Sequence, residues 1–352
     1  MYFDLTDEQK LLRDTLTSLF ARHSPHQQLL AADRPAVIDR DRWAEVCATG
    51  VLGAMVPEAQ GGAGMDLLTL AVIAEACGAN VLPLPVVQNA LAAWLLSTDA
   101  VAETGGEWVE RLIGGDAIAA FVVPLAGNQN PTDGEPRSAL VERGSEADVF
   151  VIVDNGLWIA SAGNAGVSIS EVDGLDLTRP LARVGFEPGA ATLLSTDPTL
   201  AGRLFDALLI SYAADALGAA AALQRSAVEY AKERRQYGRL IGSFQALKHQ
   251  LADVSVDLEP ARPLCWYAAH SWDTARDDHR RMAAIAKAHL GEVTVSSARA
   301  CIEAFGGIGY TWEHPAHLYL KRAMFDRSAL GTPALHRERA AVIAGWGGIG
   351  AA

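Results

Sequence analysis

Apolar positions along the chain follow two patterns, and the change between them divides it into three zones. Up to about residue 115 the spacing is helical. Leu11, Leu12, Leu16, Leu19 and Phe20 fall on one helix face, Thr6 stands where an N-cap is needed, and Asp7 and Glu8 occupy the first turn, where acids favour the helix dipole. Further helices are expected around 42–49 and 66–76. The loop between them, 56–64, carries glycines that permit a tight path close to a ligand or another backbone, and a plain interhelical loop satisfies the same spacing. From about 116 to 197 the pattern breaks into short apolar runs at 117–123, 148–153, 157–160, 167–169 and 191–194, punctuated by Gly, Pro, Asn and Asp. Such runs predict strands and turns, hence a small β domain inserted between helical ones, with 128–137 as an exposed loop. From about 198 onward the chain is helical again, with long helices expected over 204–232 and 282–305, and 273–278 separating the later ones. Periodicity also makes one helix of 244–272, but Pro260 and Pro263 each remove a backbone donor there, so a kink or break is expected.

The fold class that follows is mostly α with a small inserted β domain, divided as 1–115, 116–197 and 198–352. Alanine dominates the faces of the last zone, which suits the close interhelical approach of a packed bundle. Composition narrows the picture further. A chain of 352 residues, half of them apolar, can bury a large core. The balance of 29 basic against 42 acidic residues, a net charge of −13, argues against nucleic acid or an anionic membrane as partner. A local arginine and helix N-termini can still hold a phosphate on an acidic protein. The longer apolar stretches are interrupted and are expected to fall short of a membrane span. No signal peptide is read at the start, and Cys47, Cys77, Cys265 and Cys301 lack CxxC spacing. The expectation is therefore buried free thiols, no metal site and a cytoplasmic setting.

Two segments carry candidate chemistry. In the run 233–245, ERRQYGRLIGSFQ, an arginine at a helix end can grip a pyrophosphate bidentately, and the Gln245 amide adds neutral donors. A basic helix C-terminus followed by a glycine turn is the competing reading. In the run 303–313, EAFGGIGYTWE, bare glycines after a helix expose backbone amides that can wrap phosphate, though such a run also serves simply to stop a helix.

Taken together, ERRQYGRLIGSFQALKHQLAD, AFGGIGYTWEHPAHLYLKRA and the pair Gly331-Thr332 resemble the C-terminal domain of acyl-CoA dehydrogenases. FDLTDEQKLLRDTL and VPEAQGGAGMD resemble that family's N-terminal helical domain, and LDLTRPLARVGFE the exit of its middle β domain. The resemblance implies a helical domain, a β domain and a terminal four-helix bundle, with FAD held at a subunit interface. It also implies removal of the α-proton and β-hydride of a fatty or steroid acyl-CoA, with electrons passing to an electron-transferring flavoprotein. A carboxylate can take so weakly acidic a proton only where the thioester oxygen is hydrogen-bonded and the site is dry. Carried over by position, Arg234 and Gln245 match pyrophosphate contacts. Gly306 and Gly307 match a loop reaching the FAD of a neighbouring subunit, and Thr332 matches a residue near the flavin.

The sequence departs from the family pattern at the chemistry. The Glu that normally precedes the Gly-Thr pair is Leu330, and the alternative helix position for it falls near Leu208; neither can accept a proton. The flavin-facing Thr-Glu-Pro and Ala-Gly-Ser elements correspond here to Val122-Val123-Pro124-Leu125-Ala126-Gly127. The expected Trp-Ile-Thr strand is missing, and Trp158-Ile159-Ala160 comes in the wrong order and reads as core. Glu303 replaces a usual Gln beside the pyrophosphate, so its carboxylate must point away, be protonated or pair with an arginine. Asp215, two turns beyond Leu208 in an apolar run, is a candidate base, or else a paired or partly solvated acid. Asp326 is expected to face solvent beside Lys321, Arg322 and Arg327. Three readings follow: a companion subunit of a heterotetramer (α2β2) whose larger acyl-CoA dehydrogenase partner supplies the Glu; a homomer using Asp215 or another unusual base; or a scaffold that has lost flavin.

Overall fold

The computed structural model describes residues 4–22, 35–123 and 137–346. The stretch 124–127 and the loop expected at 128–137, apart from Arg137, lie outside the described residues.

The first helix, α1 (Asp7–Arg22), begins as its sequence predicts. Gln9 N–H donates to Thr6 Oγ1 at 3.2 Å, and Thr6 N–H donates to Gln9 Oε1 at 3.0 Å, a reciprocal capping box. There follow α2 (Arg40–Cys47), α3 (Leu67–Ala79), α4 (Val86–Ser97), α5 (Ala102–Gly105) and α6 (Glu107–Gly114). Seven strands come next: β1 (Ala119–Val122), β2 (Arg137–Glu142), β3 (Val149–Val153), β4 (Leu157–Ser161), β5 (Val167–Val172), β6 (Leu181–Phe186) and β7 (Thr192–Ser195). After α7 (Pro198–Glu233) a small hairpin of β8 (Arg235–Gln236) and β9 (Arg239–Leu240) leads to α8 (Gln245–Asp273), α9 (His279–Phe305), α10 (Ala316–Ser328) and α11 (Pro333–Ile343). The helical, β and helical order matches the fold class read from the sequence.

Two compact units are formed. One gathers the described residues of Met1–Arg34, Ala71–Leu82 and Leu209–Ala352, the other those of Pro35–Leu70 and Pro83–Leu208. In the second unit the strands make two sheets, ordered β1-β3-β4-β7 and β2-β6-β5. Only β1 and β3 pair in parallel; β3 with β4, β4 with β7, and β6 with both β2 and β5 are antiparallel. Alternate residues of the two sheets, among them Val122, Val141, Phe150, Ile152, Val184 and Phe186, form one buried cluster. Phe150 and Phe186 meet there edge to face, with centroids 5.7 Å apart. Trp158, on β4, packs against this cluster and donates its indole N–H to Asp154 O at 3.0 Å. The fully buried Asn89 amide ties α4 to β1, donating to Ala117 O at 2.8 Å and accepting from Ala119 N–H at 3.0 Å. The 56–64 loop turns on itself: a Cβ on Gly62 would collide with Val56 O, so the close neighbour its glycine permits is backbone of the same loop.

In the first unit α9 packs against α8, α10 and α11. Helices α3 and α7 cross at glycines, where a Cβ on Gly78 would collide with the Asp215 carbonyl and one on Gly218 with the Glu75 carbonyl. The break expected at Pro260 and Pro263 does not occur, and α8 runs through both. Both prolines are exposed, so the carbonyls four residues earlier that lose a donor can turn to water. The expectation about apolar length is also revised: α7 is long and apolar enough to cross a membrane, but 89% of its apolar window is buried in the fold. Its apolarity is spent on the core. Cys77, Cys265 and Cys301 are buried free thiols and Cys47 is half-buried.

Candidate functional site

The α7 helix ends where its chain must reverse. Arg234 N–H still bonds to Tyr230 O at 2.9 Å, and Ile241 N–H returns to Arg234 O at 2.8 Å, closing the β8–β9 hairpin. Its two-residue turn places both Tyr237 (φ +51°) and Gly238 (φ +75°) in the left-handed region, as a tight hairpin requires. The return path then presses on α7, and a Cβ on Gly242 would stand 2.8 Å from Ala231 O. Arg239 lies over the Phe244 ring at 4.0 Å. Arg234 is exposed, and among the described residues no side chain pairs with its guanidinium. Gln245, also exposed, opens α8 behind Phe244, an N-cap residue with no side-chain hydrogen bond to the helix. The first amides of a 29-residue helix are thus left without a side-chain cap.

A third element joins this end of the bundle. The Tyr230 and Phe305 rings pack with centroids 5.1 Å apart, which sets the end of α9 beside the end of α7. Immediately after Phe305, Gly306 adopts φ +66°, and Cβ atoms built on Gly306 or Gly307 would meet nothing within 4 Å. Gln250, on the second turn of α8, donates its amide to Glu303 Oε2 at 2.7 Å and to Ala300 O at 3.3 Å. The partner of Glu303 is therefore a neutral amide, where an arginine was one of the options. Gln250 was not singled out from the sequence, since only the register between α8 and α9 brings it there. Arg234, Gln245, the α8 amides and the bare Gly306-Gly307 turn make a donor-rich, open surface suited to a pyrophosphate. Glu303 is its one opposing charge among these residues.

Thr332 belongs to a separate place. It caps α11, its Oγ1 accepting from Leu335 N–H at 3.4 Å with Pro333 at the first helical position. Pro333 lies against Gly291 of α9, where an added Cβ would be 3.3 Å from Pro333 Cγ. Fifteen residues separate Gly291 from Gly306, so the two places are about 22 Å apart along α9. In front of Thr332, Leu330 is half-buried at φ +59° and Gly331 sits at φ +113°. Leu330 O accepts from His336 Nε2–H at 3.0 Å. Burial, with Lys287 nearby, pushes the His336 imidazole down to about 4, so the ring is neutral.

The acids fall elsewhere. Asp215 is 2% exposed, and Arg322 Nη1 reaches both its oxygens at 3.1 and 3.2 Å, while Arg322 Nη2 donates to Leu82 O at 3.0 Å. Asp326 does not face solvent as expected: it is 1% exposed. Its backbone carbonyl accepts from Lys287 Nζ, and its carboxylate offsets part of the desolvation that lowers the Lys287 ammonium to about 8. Leu208 is buried and apolar. Lys287 was overlooked, although a single lysine within Ala-Ala-Ile-Ala-Lys-Ala was a legible sign of a buried cation.

The chain thus combines helical segments, a small two-sheet β region and a helical bundle with an open, donor-rich surface. The acyl-CoA dehydrogenase N-terminal domain model matches residues 6–116, and the acyl-CoA dehydrogenase C-terminal domain model matches 200–344. The chain is 33% identical over 334 residues to the acyl-CoA dehydrogenase IpdE2 of Mycobacterium tuberculosis H37Rv, covering 93% of this chain and 94% of that one. Among solved structures it is similar to the ChsE4-ChsE5 complex of Mycobacterium tuberculosis, with TM-score 0.85, 24% identity and coverage of 96% and 97%. It is also similar to a variant of the Tcur3481-Tcur3483 steroid ACAD, with TM-score 0.84, 24% identity and coverage of 96% and 98%. The chain belongs to the acyl-CoA dehydrogenase family, and FAD is its cofactor.

Proposed function

We propose that this chain is the companion subunit of a heteromeric, FAD-dependent acyl-CoA dehydrogenase, in which a larger acyl-CoA dehydrogenase chain supplies the catalytic Glu. The observation that carries this reading is the pairing of an open, donor-rich surface with an apolar residue, Leu330, where the family resemblance would put the proton-accepting Glu. Arg234, Gln245, the α8 amides, Gly306 and Gly307 would hold the FAD pyrophosphate. Bound there, FAD supplies the acceptor for the substrate's β-hydride. Gln250 holds the Glu303 carboxylate, which limits its repulsion of the phosphates. By the family resemblance Thr332 would stand near the flavin; its turn lies about 22 Å from the Gly306 turn along α9, a separation that favours a flavin shared between chains.

Asp215 is not the base in this reading. Arg322 occupies both its oxygens, and a carboxylate so held is a poor proton acceptor. The α-proton is therefore taken by a group of the partner. The two-component names of the structural relatives support a heteromeric assembly, for which α2β2 is the proposed stoichiometry, and the steroid ACAD among them supports a bulky, steroid-type acyl-CoA as substrate. Electrons leave to an electron-transferring flavoprotein, the acceptor the family resemblance implies. Co-expression with a larger acyl-CoA dehydrogenase encoded beside it tests the reading. A yellow complex that reduces dye with acyl-CoA, from chains inactive alone, supports it; a chain that is yellow and active by itself overturns it.

A further inference from the structure

The turn that carries Leu330, Gly331 and Thr332 is held by two buried side chains that the proposed chemistry does not use. Lys287 projects from the middle of α9 and is 2% exposed. Its ammonium donates to Asp326 O and, at 3.4 Å, to Arg327 O. These carbonyls belong to the last turn of α10, where helix geometry leaves acceptors without partners and a cation is favoured. Beyond the turn, His336 is 1% exposed and reaches back from α11 to donate Nε2–H to Leu330 O at 3.0 Å. A donor on each side thus clamps the carbonyls before and within the turn. Leu330 adopts φ +59° there, a conformation a leucine takes only when its surroundings impose it. Gly331 follows at φ +113° in close packing, where a Cβ would come within 2.7 Å of Leu335 and 3.1 Å of His336.

We propose that Lys287 and His336 are positioning residues that fix the Leu330–Thr332 turn, and through it Thr332, in the conformation presented to the flavin. That the turn faces the flavin rests on the reading above; that these two donors impose its conformation does not. His336 bonds to a carbonyl of the turn itself and Lys287 to the two helical carbonyls that lead into it, so together they set the direction of the backbone and do more than add stability.

His336→Gln and His336→Asn separate position from packing. A glutamine amide can reach the place of Nε2, whereas an asparagine amide falls short, and both are polar side chains of similar size. Hydrogen exchange of the amides of Gly331, Thr332, Ala334 and Leu335 is read in the full chain, with α8 amides as reference, and FAD affinity is read in the complex with its partner. The expected result is wild-type exchange in His336→Gln and about tenfold faster exchange in His336→Asn, the scale of one hydrogen bond, with α8 unchanged. Lys287→Met, which leaves the α10 carbonyls without their donor, should likewise speed exchange at these amides. FAD affinity should follow the same order. Equal exchange in both His336 variants, or wild-type exchange in Lys287→Met, overturns the proposal. Altered exchange with unchanged FAD affinity instead removes the turn from the flavin and leaves the clamp standing.

Discussion

Arg322 Nη1 stands 3.1 and 3.2 Å from the two carboxylate oxygens of Asp215, while its Nη2 donates to Leu82 O. Both side chains are almost wholly buried, so each charge depends on the other. Asp215→Ala should therefore cost about 3–5 kcal/mol, because it leaves a guanidinium buried without its counter-ion. Asp215→Asn should lower stability less. In the assembled enzyme it should leave turnover within about threefold of wild type if, as proposed, the carboxylate takes no proton from substrate. Urea melts and dye reduction read both; a loss of turnover in a folded Asp215→Asn complex would return Asp215 to the chemistry.

The crossing of α3 and α7 depends on two glycines. Gly78→Ala and Gly218→Ala each drive a methyl into a backbone carbonyl of the facing helix, and the helices cannot part without opening the core. Each should cost about 1–3 kcal/mol or more, measured as a fall in urea midpoint with no change in slope.

Acid should weaken the fold partly through His336. Its folded value lies near 4 against an ordinary 6.5, so between those pH values the unfolded chain binds a proton that the folded chain refuses. Stability is fully present above 6.5 and is lost as pH falls through the folded value. His336→Gln removes this contribution, so its urea midpoint should fall less steeply than wild type between neutrality and pH 4. Identical slopes would show that other groups carry the acid sensitivity.

Arg234 is exposed and engages no described side chain, so its removal should spare the fold. Arg234→Ala should leave the melting temperature of the isolated chain unchanged and weaken flavin retention in the complex by roughly 2–4 kcal/mol. Arg234→Lys should recover only part, because an ammonium lacks the planar fork that fits a phosphate. Flavin absorbance after gel filtration reads the series.

Local chemistry made much of this protein legible. Thr6 and Gln9 cap α1 through neighbours three residues apart, and the long helical periods of α7, α8 and α9 survive into the fold. The strands β2 and β6 were missed for identifiable reasons. Leu140 points its apolar side chain outward at 52% exposure, and Arg183 and Gly185 interrupt β6. What could not be read were pairings fixed only by tertiary register. Arg322 lies 107 residues from Asp215, and Lys287 lies 39 residues from Asp326, so one acid kept two readings and the other was assigned to solvent. The grouping of Arg234 with Gly306 likewise needed the family resemblance, because the Tyr230–Phe305 contact that joins them spans two helices.

The central claim is that this chain grips FAD only as half of a site. Flavin content per chain, measured after purification alone and after co-purification with the larger dehydrogenase chain, tests it most directly. The account predicts a colourless protein alone and stoichiometric flavin in the complex, lost on Arg234→Ala. Full flavin occupancy in the isolated chain, or a complex whose flavin survives that substitution intact, would contradict it.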